Sequence, residues 1–307
     1  MKRRAVLHKL TPEITCIDDA GDSVCYVVCG KDKAAVIDTV NGRENLYDIV
    51  RQITDLPLIV VDTHGHGDHT GGNCFFKEAY MHPADVAIDK EFVARRKELD
   101  IDLDHPEKYG ATREELEAFL DPYAHCEIKP LREGEKIDLG GKVLEVVLIA
   151  GHTPGSIALL DRQTGFLFSG DAINGQTWLQ LDHSLKLQQY LDSLNALDPL
   201  RPYIKELHNG HNVEGVPAAY IDEMKDAIRT IIETHGAGDE DYTWFGGTAN
   251  AIGCARTPGC STRPISSDNF RKRTALIGAL GAILFDRIAP SAYNRCVPDL
   301  CLRSSVG

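Results

Sequence analysis

The stretch Val60-Val-Asp-Thr-His-Gly-His-Gly-Asp-His-Thr-Gly-Gly72 joins an apolar segment to four side chains that can bind metal ions. These side chains are His64, His66, Asp68 and His69. Imidazole nitrogens and carboxylate oxygens are ligands that zinc and similar divalent ions prefer. The intervening glycines permit backbone dihedrals that let neighbouring side chains converge. The stretch therefore favours a buried strand that presents metal ligands over a polar loop whose histidines only form hydrogen bonds.

Three later segments repeat this pattern of an apolar strand followed by a turn of small residues. His152 lies in a Gly-His-Thr-Pro-Gly turn, and Asp171 follows the run Phe-Leu-Phe-Ser-Gly. Two histidines, His208 and His211, follow the third segment. His64 and His66, two residues apart, can share one metal ion, and Asp68 and His69 can turn towards a second. Each ion then needs further ligands, and these later side chains are the candidates.

The order of the predicted elements indicates an α+β fold. Apolar, β-branched runs alternate with helical stretches in two similar halves, which predicts two sheets packed face to face with helices outside, an αββα sandwich. The predicted strands are 23–29, 33–38, 58–61, 142–149, 156–160, 166–169 and 203–207. The predicted helices are 45–53, 84–99, 112–119, 185–197 and 217–234, and the third of these has a capping-box sequence.

Composition limits the class of partner. The 307 residues are 43% hydrophobic and 26% charged, as in an ordinary globular protein rather than a disordered chain or a fibre. A net charge of −13 disfavours nucleic acid as a partner, and no apolar run reaches the ~20 residues needed to cross a bilayer. Nine cysteines without an export signal indicate reduced thiols and a cytoplasmic location. The expected partner is a small-molecule substrate, and the oligomeric state is left open between a monomer and a homo-oligomer.

The charge also divides the chain. Residues 249–307 carry eight basic and three acidic residues and four cysteines, whereas the preceding part is strongly acidic. We therefore predict a catalytic domain over residues 1–240 and a basic, cysteine-containing C-terminal extension over 241–307. A helix is predicted at 269–288. The cysteine spacings in the extension differ from those of a zinc knuckle, so a docked or partly disordered extension is favoured over a metal site.

Taken together, the motifs resemble the metallo-β-lactamase-fold hydrolase superfamily over about residues 20–235. The resemblance implies the αββα sandwich with its site at one edge. It implies a first metal ion on His64, His66 and His152, a second on Asp68, His69 and His211, and Asp171 bridging the two. Asp38 matches an aspartate that supports the metal loop in this family. The family's Gly-His pattern favours His211 over His208.

The resemblance also implies a reaction. Hydroxide held by two divalent ions, with zinc expected and iron or manganese as alternatives, would attack an ester, thioester or lactone of a small molecule. Asp68 is expected to act in catalysis by orienting the nucleophile or passing a proton to the leaving group. Asp171 disfavours a true β-lactamase, which lacks the bridging carboxylate. Asn174 stands where the lactonases carry tyrosine, and the glyoxalase II-like hydrolases share all seven ligands.

Two other functions remain as alternatives at this stage. One is a small-molecule phosphodiesterase or nuclease-type member of the fold, and the other is a persulfide dioxygenase with a single iron. The insertion 84–124 and the segment 176–190 are expected to wall an apolar cleft, and His183, in the second of these, is a candidate substrate contact. The residues predicted to line the cleft are Trp178, Leu179, Leu181 and Tyr190.

Overall fold

The computed structural model of this chain describes residues 5–99, 101–121, 126–234, 240–244, 247–253 and 282–285. Its strands, in chain order, are β1 (Ala5–Lys9), β2 (Ile14–Asp19), β3 (Val24–Cys29), β4 (Ala34–Ile37), β5 (Leu58–Val61), β6 (Glu78–Met81), β7 (Glu127–Pro130), β8 (Lys136–Asp138), β9 (Val143–Leu148), β10 (Ile157–Asp161), β11 (Phe166–Gly170), β12 (Gln176–Trp178), β13 (Glu206–Asn209), β14 (Val216–Pro217), β15 (Glu240–Trp244), β16 (Gly247–Gly253) and β17 (Ala282–Phe285). The α-helices are α1 (Leu46–Val50), α2 (Gly67–Thr70), α3 (Val86–Arg95), α4 (Arg113–Leu120), α5 (Leu187–Ala196) and α6 (Tyr220–Glu233).

Two sheets form the centre of the fold. The first contains β1 to β7 in sequence order, and the second has the order β14-β13-β11-β10-β9-β8. In the first sheet β4 to β7 are parallel neighbours, and in the second β11 and β13 are parallel. Parallel neighbours bring their carboxyl ends to one edge of a sheet, so the residues that follow these strands lie close together.

The side chains of the central strands alternate between two cores. Along β3, Val24, Tyr26 and Val28 pack against the second sheet, whereas Cys25 and Val27 face the opposite side. Successive side chains of a strand point to opposite faces, so a strand buried on both sides is apolar throughout. The run of six nonpolar residues in β3 is explained by this double burial.

Helices cover the outer face of each sheet. Helix α1 packs on the first sheet through Leu46 and Ile49, and helices α5 and α6 pack on the second through Leu194 and Ile228. The layers are therefore helix, sheet, sheet and helix, which confirms the predicted αββα sandwich. Among the described residues, no helix has both the length and the apolar character that a membrane crossing requires.

A third, four-stranded sheet lies outside the predicted arrangement. Its order is β12-β17-β16-β15, so strands from the C-terminal extension pair with a strand from the main part of the chain. The helix predicted at 269–288 is wrong at residues 282–285, which form β17, and its other residues lie outside the described part. The pattern of a short apolar run is compatible with either a helix or a buried strand. Here residues 282–285 form a strand because they pair with β12 and β16. The division at residue 240 stays a prediction.

Candidate metal centre

Strand ends position all seven candidate ligands. His64 and His66 follow β5 in the first sheet, and Asp68 and His69 lie in the short helix α2, which begins at Gly67. The other three candidates come from the second sheet, where His152 follows β9, Asp171 follows β11 and His211 follows β13. The structure brings these side chains together at one edge of the sandwich.

One group of three histidines, the first ligand set, consists of His64, His66 and His152, whose ligand atoms lie within 4.8 Å of one another. The Nδ1 atom of His66 is 3.1 Å from Nε2 of His64 and 2.9 Å from Nε2 of His152. Burial lowers the pKa of each of these imidazoles. The rings are therefore held in the neutral form, which is the form that binds metal ions.

The second ligand set consists of Asp68, His69 and His211, whose ligand atoms also lie within 4.8 Å of one another. The Nε2 atoms of His69 and His211 are each 3.6 Å from Oδ2 of Asp68. Burial would lower the pKa of His211, but the carboxylates of Asp171 and Asp68 raise it to about 9. This set thus combines nitrogen and oxygen donors around a strongly negative potential, which suits a cation.

Asp171 lies between the two sets. Its Oδ1 atom is 3.5 Å from Nε2 of His69, and its Oδ2 atom is 3.1 Å from Nε2 of His211 and 3.8 Å from Nε2 of His152. Burial opposes its ionisation, but His211 and His69 outweigh this effect and hold the pKa of the carboxyl well below its usual range. A carboxylate in this position contacts ligands of both sets, as a bridging group must.

Two buried atoms show that the centre fits a cation. Within the described residues, Nε2 of His69 and Oδ1 of Asp171 are buried and form no hydrogen bond. Buried polar atoms are costly when they have no partner, so such atoms require an explanation. Because both belong to the converging ligand groups, a divalent ion bound between them would satisfy both. The donor set of nitrogen and oxygen suits zinc, iron or manganese.

Asp38 fixes the loop that carries the first stretch of ligands. Its carboxylate accepts hydrogen bonds from the backbone N–H of Thr63 at 2.7 Å and from the Thr63 hydroxyl at 2.9 Å. It also lies 3.0 Å from Nδ1 of His69, which leaves Nε2 of that ring to face the centre. Asp38 has a φ of 63°, a left-handed conformation that aspartate tolerates better than most residues. This arrangement matches the supporting role that the family resemblance implies.

Backbone carbonyl groups orient two other ligands. Nδ1 of His152 is 2.7 Å from the carbonyl oxygen of Trp178, and Nδ1 of His211 is 2.7 Å from the carbonyl oxygen of Asp22. Such partners fix the tautomer and the orientation of a ligating imidazole. The sequence analysis missed both, and no sequence signal could have revealed them, because any residue supplies a carbonyl group.

His183 lies against a ligand rather than apart from the site. Its Nε2 atom is 2.7 Å from Nε2 of His66, on the side of that ring opposite the first ligand set. The ring of Phe92 packs edge-on against His66, with 5.4 Å between the ring centroids. The expected role of His183 as a substrate contact stays a prediction, and the structure adds a contact that steadies His66.

The apolar cleft expected after Asp171 needs a correction at two positions. Tyr190 and Leu179 are buried in the core between the second sheet and its helices. The Tyr190 hydroxyl donates a hydrogen bond to the carbonyl oxygen of Ala172, so this residue stabilises the turn after Asp171 from the core side. Trp178 and Leu181 are partly exposed and remain candidates for the wall of a substrate cleft.

The structure separates the two histidines that follow β13. His211 joins the second ligand set, whereas His208 is buried among the aromatic rings of Tyr26, Phe166 and Phe168. Neither ring nitrogen of His208 forms a hydrogen bond within the described residues. His208 is therefore a histidine of the core, and the choice of His211 as the ligand stays a prediction.

The burial of His208 predicts a pH-dependent stability. Burial lowers its pKa to about 4 from an ordinary 6.5, so the stability that neutral His208 contributes is complete above pH 6.5 and falls as the pH drops towards 4. At pH 5 the loss is about 2 kcal/mol. We expect His208→Leu to reduce, by about this amount, the fall in free energy of unfolding between pH 7.5 and pH 5. Urea denaturation of the metal-free proteins at both pH values measures it, and an equal fall in wild type and variant would contradict it.

Known proteins that are similar to this chain in sequence include hydrolases. The chain is 30% identical to the acyl-coenzyme A thioesterase MBLAC2 of Gallus gallus over 210 residues, which are 64% of this chain and 74% of that protein. It is 27% identical to a hydroxyacylglutathione hydrolase of Thermosynechococcus vestitus over 172 residues, 54% of each chain. Both relatives are named as hydrolases and neither as a β-lactamase.

Solved structures and a family model agree on the fold. A metallo-β-lactamase from Pontibacter korlensis superposes with a TM-score of 0.52 at 17% identity, covering 73% of this chain and 99% of that one. Another from Erythrobacter litoralis gives a TM-score of 0.51 at 17% identity, covering 75% and 98%. At this identity the likeness concerns the fold alone. Residues 18–211 match the family model of the metallo-beta-lactamase superfamily, and with the converging ligands and the αββα layers this match shows that the chain belongs to that superfamily.

Proposed function

We propose that this chain is a dinuclear metallo-hydrolase that cleaves thioesters of small molecules. The observation that carries the proposal is the position of Asp171, which contacts ligands of both sets at the edge of the sandwich. The thioester class is supported by the relatives, since an acyl-coenzyme A and a hydroxyacylglutathione are both thioesters. The expected substrate, an ester, thioester or lactone, is thereby narrowed in this proposal to a thioester.

The two ligand sets would hold two divalent ions, with zinc as the expected metal. Ions bound there would supply a water molecule activated at neutral pH and a positive charge that stabilises the oxyanion of the attacked carbonyl group. The chain's own part is to keep the imidazoles of the first ligand set neutral through burial, and to aim the ligands inward through Asp38 and the carbonyl groups behind His152 and His211. These fixed contacts keep the ligands in place without reorganisation during the reaction.

Asp68 is the residue that we assign to catalysis. Its side chain is 40% exposed, whereas the His69 side chain beside it is fully buried, so Asp68 faces the space that a substrate would enter. Its carboxylate can accept a hydrogen bond from the attacking water and orient it towards the carbonyl carbon. It can also carry the proton of that water to the leaving sulfur. A thiolate is a stable leaving group near neutral pH, so this transfer needs no strong acid.

A metal analysis combined with a substrate panel tests the proposal. We expect the purified full-length chain to bind about two equivalents of zinc and to hydrolyse acyl-coenzyme A or hydroxyacylglutathione thioesters with a kcat/KM at least about 100-fold above that for oxygen esters, lactones, phosphodiesters and β-lactams. Removal of the metal should abolish turnover, and added zinc should restore it.

Two outcomes would favour the other functions. A single iron atom together with oxygen uptake on a persulfide substrate would overturn the proposal in favour of a dioxygenase. Faster cleavage of a small phosphodiester than of any thioester would overturn it in favour of a phosphodiesterase.

A further inference from the structure

Asp85 is a fully buried carboxylate that belongs to neither ligand set. It directly precedes helix α3, and its side chain accepts three hydrogen bonds. The donors are the backbone N–H of Gly65 at 2.9 Å, the Thr153 hydroxyl at 2.6 Å and the backbone N–H of Gly155 at 2.6 Å. Hydrogen bonds to an ionised acceptor are about twice as strong as those between neutral groups, so this carboxylate is held firmly.

The three donors share one property, which is their place beside the first ligand set. Gly65 lies between His64 and His66, and Thr153 and Gly155 follow His152 within three residues. Gly65 belongs to a loop of the first sheet and the other two donors to a loop of the second. The carboxylate thus joins the two halves of the fold at the point where both deliver their nitrogen ligands.

The packing around Asp85 shows that both loops are fitted against it. A Cβ atom added to Gly155 would lie 2.6 Å from Oδ1 of Asp85, and one added to Gly65 would lie 2.6 Å from the Asp85 carbonyl oxygen. Real Cβ atoms do not approach other atoms so closely, so both loops can meet Asp85 only as glycine backbone. A backbone hydrogen bond of 2.8 Å, donated by the N–H of Ile157 to the carbonyl oxygen of Thr63, also connects these two segments.

From this geometry we propose that Asp85 is a positioning residue for the first ligand set. It sets the distance between the loop of His64 and His66 and the loop of His152, and so it determines the affinity of one metal ion of the pair. Its hydrogen bonds reach no residue of the second ligand set. The inference rests on the proposed metal centre and is independent of the substrate.

The test is Asp85→Asn, which keeps the size of the side chain and removes its charge. Either orientation of the amide turns an –NH₂ group towards an N–H donor, of Gly65 or of Gly155, so at least one loop contact is lost. We expect chelator competition with zinc to show one of the two equivalents bound about 10- to 100-fold more weakly, with the other changed by less than about threefold.

Asp161→Asn is the matched control. Asp161 is also fully buried, and it accepts hydrogen bonds from Nζ of Lys142 at 2.7 Å and from the backbone N–H of Gln163 at 2.9 Å. It lies at the end of β10 that is remote from His152. This variant should lower the melting temperature but leave both zinc affinities within about threefold of wild type.

A second readout needs no metal. In the metal-free proteins, Asp85→Asn should speed amide hydrogen exchange in peptides covering residues 64–67 and 152–156 more than elsewhere, and Asp161→Asn should not. Thr153→Val, which removes one of the three bonds and keeps the side-chain shape, should give a smaller change of the same kind and serves if Asp85→Asn does not fold.

Three results would overturn the inference. They are equal weakening of both zinc equivalents, unchanged affinities in Asp85→Asn and Thr153→Val, and an Asp161→Asn effect as selective as that of Asp85→Asn. A wild-type chain that binds no zinc would contradict the proposed function instead, and the exchange experiment would still decide the role of Asp85.

Discussion

Replacement of His66 by alanine is expected to lower kcat/KM for thioester hydrolysis by about 1,000-fold or more and to remove one equivalent of metal. His66 is the central member of the first ligand set, with Nδ1 within 3.1 Å of His64 and within 2.9 Å of His152. Its loss leaves that ion with two nitrogens of the set and the bridging Asp171, one protein ligand fewer than the proposed site supplies. Loss of an outer partner alone costs 10- to 100-fold, so loss of the ligand itself should cost more.

His105→Ala is the control for this substitution. His105 is an exposed histidine paired with Glu107 at 3.2 Å, and it lies in no ligand group. We expect wild-type turnover and metal content in this variant. If His66→Ala kept two equivalents of metal and near wild-type activity, the first ligand set would be wrongly assigned.

The second large effect is expected for Asp171→Asn. The carboxylate contacts His69 and His211 of one set and His152 of the other, and it supplies the negative charge that compensates for two cations in close proximity. An amide keeps one oxygen ligand but loses that charge. We expect kcat to fall about 100- to 10,000-fold and the metal content to fall from about two equivalents to about one, measured by steady-state kinetics and elemental analysis.

Asp62→Asn provides a matched comparison. Asp62 is fully buried, accepts a hydrogen bond from Nδ2 of Asn73 at 2.9 Å and belongs to no ligand group. Burial raises the pKa of Asp62 well above the usual value, whereas His211 and His69 hold that of Asp171 well below it, so the substitution at Asp62 removes less negative charge. This variant should keep about two equivalents of metal and a kcat within about fivefold of wild type. Two full equivalents in Asp171→Asn would show that this residue does not bridge the sets.

The sequence predicted those parts of the fold that depend on local patterns. The strand at 58–61 is observed with the same bounds as β5, and the helix at 112–119 is observed as Arg113–Leu120 with the predicted capping box at Thr112 and Glu115. Among the strands that the sequence analysis missed, β1, β6 and β7 are short or partly exposed, so apolar and polar residues mix in them. Residues 282–285 were misassigned because their strand depends on partners distant in sequence.

The residues of the candidate centre divide in the same way, into those that the local sequence reveals and those whose contacts depend on the tertiary fold. Ligands such as His64 and Asp171 are recognisable because each stands on a small-residue turn directly after an apolar strand. Their supporting contacts follow from the tertiary fold alone. Nothing in the sequence near Asp85 or His183 indicates that the first meets two ligand loops and the second meets His66.

The origin of the ligands in both sheets has a thermodynamic consequence. A cation held by His66 from one half and His152 from the other is released when either half unfolds, because neither half retains a complete binding site. Bound metal therefore couples the unfolding of the two halves. At a free metal concentration 100 times the dissociation constant, binding of one ion stabilises the native state by about 2.7 kcal/mol. Chelation should therefore lower the melting temperature of the whole sandwich.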